Sequence, residues 1–269
     1  MAQRLWRRSG SLTVDSLGSL SRGKETIMST HAHRVRGLER RPAAHVPGTL
    51  SVRLAALGGA VFFALFLAFG ILTRGTPSIT DSGRDTYNYL SAHDGRLQLA
   101  AVLFGLAMPA ALLAVSGLFR ALREAEGGKA GLAIAALGGG VLAAASTVTG
   151  ALIMGVTATR IAEIGPANAH LWWTMCLMSF GAILLGLLLL IGATAVVSLE
   201  TELFPRWFGV ASVVLALVSI VGAFAIGYAG TGILAAAGIA LILDSVWIFL
   251  VSFFLWRDPE LALSRGSST

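Results

Sequence analysis

The stretch HLWWTMCLMSFGAILLGLLLLIGATAVVSL, residues 170 to 199, runs its whole length without an Asp, Glu, Lys or Arg. A helix rises about 1.5 Å per residue, so roughly 20 apolar residues cross the ~30 Å hydrocarbon layer of a bilayer. This run is long enough to cross with a tilt or to protrude. Barrel strands of about 10 residues alternate polar and apolar positions, and this run does not. A helix satisfies its own backbone hydrogen bonds in lipid, so the run reads as a membrane-spanning helix.

Five more runs of this kind stand along the chain: Val52 to Leu72, Leu97 to Phe119, Leu132 to Met154, Trp207 to Tyr228, and Ile233 to Trp256. The expected fold is all-α, a polytopic membrane protein built as a bundle of six transmembrane helices. Bulk composition agrees: 13% of residues are charged, against about 25% in soluble domains, and mean hydropathy is +0.78.

The chain divides into a basic tail at 1–50, a six-helix domain at 51–257 and a short tail at 258–269. The first tail is rich in Arg, Ser, Gly and His, lacks apolar periodicity and reads as disordered. It has no apolar h-region of the secretory kind. Met28 opens MSTHAHRVRGLERR and reads as an alternative start, with residues 1 to 27 as an extension. The net charge of +6 comes entirely from this tail, so the chain has no basic folded face and nucleic acid is not an expected partner. Its basic residues suit either contact with anionic lipid or the ordinary positive-inside tail.

Loop charges set the orientation. With a cytoplasmic N-terminus, the inner side holds the tail together with Arg53, Arg120, Arg123, Lys129, Arg206, Arg257 and Arg265, and the outer side holds Arg74, Arg84, Arg96 and Arg160. Both termini are then cytoplasmic, and the expected location is the cell inner (plasma) membrane. TELFPRWFGV, residues 201 to 210, becomes an inner turn. Arg206 anchors it, and Trp207 and Phe208 are expected at headgroup depth. Trp172 and Trp173 are assigned the same role at the outer end of the fourth span, and Trp256 at the inner end of the sixth.

The outer loop 73 to 96 is the longest polar segment between spans; its second part suits a short interfacial helix with Tyr87, Tyr89 and Leu90 toward the membrane. A second outer loop is expected at 155 to 169. Gly58-Gly59, Gly138-Gly139-Gly140, Gly181, Gly186 and Gly222 are candidates for close helix approach. LAALGGAV and IAALGGGV, in spans one and three, resemble each other as a hairpin repeat would, or by composition alone.

Asp244 is the residue most suggestive of chemistry. It lies in the middle of the sixth span, where a charge costs at least about 2.5–3.5 kcal/mol. It reads either as a proton- or cation-coupling carboxyl in a transport path or as a protonated acid bridging helices. Ser219, Ser146, Thr147 and Thr149 lie at matching depth as hydrogen-bond partners. Pro109, inside the second span, reads as a hinge or as an ordinary membrane-helix proline. At the outer face, His93, Asp94, His170 and Glu163 form a polar layer with Asp81 and Asp85. Metal or bis-histidine haem ligation is its functional reading, against simple solvated side chains. The spacing matches no tight metal motif, so no metal, cofactor or catalytic residue is assigned. Cys176, the one cysteine, reads as a small buried hydrophobe.

NYLSAHDGRLQLAAVLFGLA (88 to 107), GLFRALREAEGG (117 to 128) and LFPRWFGVASVVLALVSIVGAF (203 to 224) together resemble an uncharacterised six-span integral membrane protein family of high-GC bacteria, of the domain-of-unknown-function type. The resemblance runs over residues 50 to 257. It implies the six-span fold and transfers no activity to any residue, and Asp244 lies outside its pieces. The expected function is therefore a non-enzymatic membrane component. A small transporter or permease subunit using Asp244 is the first alternative, and a membrane enzyme with an outer polar site the second. Expected partners are the lipid bilayer and other membrane proteins or a second copy of the chain.

Overall fold

The computed structural model describes residues 49–226 and 231–258. Seven helices and no strand are present among them: α1 (Thr49–Leu72), α2 (Gly83–Ala92), α3 (Asp94–Ala125), α4 (Gly131–Thr159), α5 (Ile161–Thr201), α6 (Arg206–Ala225) and α7 (Thr231–Arg257). All but α2 are long and apolar enough to cross a membrane. The tails assigned to 1–50 and 258–269, and the turn expected between spans five and six, fall wholly or largely outside the described residues.

Each long helix packs against its neighbours in the chain, and α7 returns to α1. The six therefore close a ring in sequence order, with little direct packing across the middle. Aromatic side chains fill that middle. Phe69 and Phe104 stack with centroids 4.2 Å apart, and Phe104 lies 5.5 Å from Phe180, which joins α1, α3 and α5. Such pairs add to the burial they accompany. A second aromatic group, Phe204, Phe208, Trp247 and Phe254, closes the opposite end.

Small residues set the closest approaches. A Cβ on Gly139 would fall 2.5 Å from the Gly186 carbonyl, and one on Gly186 would fall 2.5 Å from the Ala143 nitrogen. The α4 and α5 backbones thus touch directly, as small residues allow where lipid supplies no hydrophobic drive. Gly140 faces Val115 of α3, while Gly138 meets nothing within 4 Å. At the matching positions of the similar string in α1, Gly58 meets α3 where Gly138 meets nothing, and Gly59 meets α7 where Gly139 meets α5. The two strings therefore occupy unlike environments.

Four expectations are corrected. The outer loop at 155–169 is almost entirely helical: α4 continues to Thr159 and α5 starts at Ile161. The Thr157 and Thr159 hydroxyls donate to carbonyls of their own helix, so polar side chains do not end it. The breaks are two single residues, Arg160 between the helices, at φ −110° and ψ 19°, and Gly165, at φ 67° and ψ 170°, followed by Pro166. Glycine has no Cβ to oppose a positive φ, and proline suits a first helical turn. Second, the short helix α2 does form, but it packs on α5, and Leu90 is buried against the protein. Third, Trp173 is 1% exposed and donates from Nε1 to the Pro77 carbonyl at 2.8 Å. It is a buried strut holding the loop after α1, because an indole inside the bundle needs a partner for its N–H. Fourth, Phe208 is buried in the aromatic group beside Trp247. Trp172, Trp207, Trp256 and Arg206 remain exposed, and Arg53 lies over the Trp256 ring at 6.0 Å.

Candidate functional site

Buried polar side chains lie on α2, α4, α5, α6 and α7, and those that bond side chain to side chain between helices lie in the α6–α7 pair. On α6, Phe208, Ser212, Leu215, Ser219 and Gly222 are buried at helical spacing, and on α7 so are Ala237, Ala240, Asp244, Trp247 and Val251. The two apolar stripes face each other, and two polar contacts are set into them.

Asp244 is 0% exposed. Ser219 Oγ lies 3.1 and 3.2 Å from its two carboxyl oxygens, and 3.0 Å from the Leu215 carbonyl on its own helix. A hydroxyl carries one proton and can also accept. When Ser219 donates to Leu215, it accepts from a protonated Asp244; when it donates to Asp244, the bond to Leu215 is given up. Either way the acid keeps a partner, as a buried polar group requires. The second contact lies further along the pair: Trp247 Nε1 donates to Ser212 Oγ at 2.8 Å, and Ser212 donates to the Phe208 carbonyl at 2.8 Å. Among the described residues the ion pairs are Arg160–Glu163 and Arg257–Asp258, so neither supplies a counter-ion to Asp244.

The other candidates lie elsewhere. Thr147 donates to Ala143 and Thr149 to Ala145, both within α4, and α4 does not pack on α7. Only Ser219, of the partners named from sequence, meets Asp244. Pro109 is exposed on the outside of α3, whose helix is continuous through it. Cys176 is buried, with its thiol 3.5 Å from the Gly150 carbonyl.

The outer polar residues do not converge. His93 joins α2 to α3; its Nδ1 is 2.9 Å from the Tyr89 carbonyl and its ring stacks on Tyr89 at 4.3 Å. Asp94 opens α3 and accepts from the Gly95 amide at 2.7 Å. Glu163 pairs with Arg160 at 2.8 Å in an exposed position. His170 lies beside Gly83 of α2. Among the described residues no three His, Cys, Asp or Glu side chains come together as a metal set.

Two cavities lie near the α7 stripe. The larger, about 490 Å³, is walled mainly by α1, the loop after it, α5 and α7, with Met154 of α4 and Ile226 beyond α6 also lining it. The smaller, about 40 Å³, lies within the ring and touches Thr147 and Ser245. Leu241 lines both, and Asp244 lines neither.

Ser212, Trp247 and the tie from Trp173 to Pro77 were missed from sequence. A signal for the first two was present: Ser212 and Ser219 are seven apart, and Asp244 and Trp247 three apart, so each pair shares a helix face. The third joins residues distant in the chain and leaves no local trace. No protein-family model, curated protein or solved structure matches the chain.

Proposed function

We propose that the protein is a multi-pass membrane protein of the cell inner (plasma) membrane, with both termini cytoplasmic. In this reading it is a non-enzymatic component that assembles with other membrane proteins or with a second copy of itself. The observation that carries the proposal is the setting of Asp244: fully buried, bonded to Ser219, and outside both cavities. A coupling carboxyl in a transport path needs access for its ion and, as a rule, broken helices or paired ionisable groups at mid-depth. The carboxyl here acts instead as a hydrogen-bonded bridge between α6 and α7.

A second reading, a small transporter using Asp244, is favoured by one feature. Leu241 lines both cavities and stands one helical turn from Asp244, so a rearrangement there would open a route to the acid.

Purified protein in liposomes loaded with a pH-sensitive dye separates the two. Under an imposed potassium gradient with valinomycin, wild type and Asp244→Asn are expected to match empty liposomes, and both are expected to melt alike in detergent, because the amide keeps a bond to Ser219. Proton flux through wild type that disappears in Asp244→Asn would establish the transporter reading instead.

A further inference from the structure

The 490 Å³ cavity lies within the size range of small-molecule sites, about 300–1,000 Å³. Its walls are Phe66 and Phe69 of α1, Trp173, Leu177 and Phe180 of α5, and Leu241 of α7. At its loop end three of the four polar side chains that line it, Thr73, Ser78 and Trp173 but not Thr76, are already engaged. Trp173 Nε1 donates to Pro77, Thr73 Oγ1 donates to the Phe69 carbonyl at 2.9 Å, and Ser78 and Thr80 hydroxyls pair at 3.1 Å. The wall thus offers an occupant apolar contact and leaves these groups no unmet hydrogen bond.

The cavity also has an identifiable side opening. Gly70 of α1 and Gly238 of α7 both line it, both are exposed, and a Cβ built on either meets no atom within 4 Å. Around this gap Leu67, Ile71, Ile239 and Ile242 are exposed on the flanks of the same two helices. An opening bordered by apolar side chains on two spanning helices faces hydrocarbon, where water and polar solutes are scarce.

We infer that this cavity is a binding site for a single hydrocarbon chain, the acyl chain of a bilayer lipid, admitted sideways between α1 and α7 past Gly70 and Gly238. The inference rests on the chain standing in a bilayer and goes beyond the proposed role. The glycines keep the gap open, and the aromatic walls supply flat apolar surface along which a chain packs.

The test uses the full chain in vesicles of phosphatidylethanolamine and phosphatidylglycerol, doped with a phospholipid carrying a diazirine partway along one acyl chain. After illumination, adducts are mapped by mass spectrometry. Adducts on Leu177, Phe180 and Leu241 are expected to exceed those on the outward-facing Leu152 and Val221 several-fold. Gly238→Phe, which places a ring in the gap, is expected to lower the cavity adducts several-fold and leave Leu152 and Val221 unchanged. Gly70→Phe does the same from the opposite wall if the first variant does not fold. A diazirine-bearing free fatty acid, run in parallel, tells whether the headgroup contributes; labelling of the cavity by either probe supports a chain site. Adducts on Leu152 and Val221 without enrichment in the cavity would overturn the chain site and leave the membrane placement standing. No adducts on any position would overturn both.

Discussion

A methyl group on Gly59 would collide with the Ser252 side chain. Gly59 is buried where α1 meets α7, and Ser252 Oγ is buried there without a hydrogen-bond partner. That hydroxyl occupies the space a larger residue at 59 would need. Gly59→Ala is therefore expected to destabilise the protein by about 1–3 kcal/mol, the usual cost of overpacking, and Ser252→Ala is expected to recover only part of the loss, because the Ser252 Cβ also lies 2.6 Å from the added methyl. Melting of the two single variants and the double variant in detergent measures the coupling; strict additivity would show that the two residues do not compete for one space. The same logic of local fit explains Asp244. Its burial was legible from its place in an apolar run, whereas the choice of Ser219 over Thr147 was not, because depth alone does not say which helices are neighbours.

Among the elements, the junction of α3 and α4 is held by a side chain rather than by its turn alone. Glu126 accepts from the amides of Leu132 and Ala133 at 2.9 Å each, through its two carboxyl oxygens. Those are among the first amides of α4, which have no partner inside the helix. A negative group also suits the positive end of a helix. The turn between them is tight, with Gly127, Gly128 and Ala130 all at positive φ. Loss of a helix cap costs about 1 kcal/mol, so Glu126→Ala is expected to lower thermal stability in detergent by about that much. An unchanged melting temperature would show that water replaces the carboxylate without loss. Sequence reading found the long helices but missed this cap, because a Glu six residues ahead of Leu132 fits no N-cap spacing. It also placed a loop at 155–169 on polarity, where threonine back-bonding let α4 continue and the change of direction fell on Arg160 and Gly165 alone.

For the whole molecule, the ring of six helices sorts the basic residues between its two ends. Arg120 donates to Ser51 at 2.7 Å, and Arg53 covers Trp256, which gathers residues of α1, α3 and α7 at one end of the ring. At the other end Arg96 donates to the Arg74 carbonyl at 2.8 Å and to Tyr89 at 2.6 Å. In the orientation proposed above, which follows the positive-inside rule, the first group is the cytoplasmic one. Reporter fusions at Arg123 and at Thr76 are expected to report opposite compartments, with Arg123 cytoplasmic; a shared compartment would dismantle the six-span topology.

What could be read from the chain alone followed from length and charge. Apolar runs such as 170–199 demand helices, because no other open structure satisfies a backbone in lipid, and loop arginines bias the side on which each end lies. Helix order around the ring, the seating of Trp173 and Phe208 in the interior, the pairing of Asp244 with Ser219, and the gap between Gly70 and Gly238 emerged only once the helices were packed. Each depends on which faces meet and at what distance. In helices apolar on nearly every side, the pattern of residues carries almost no record of that choice.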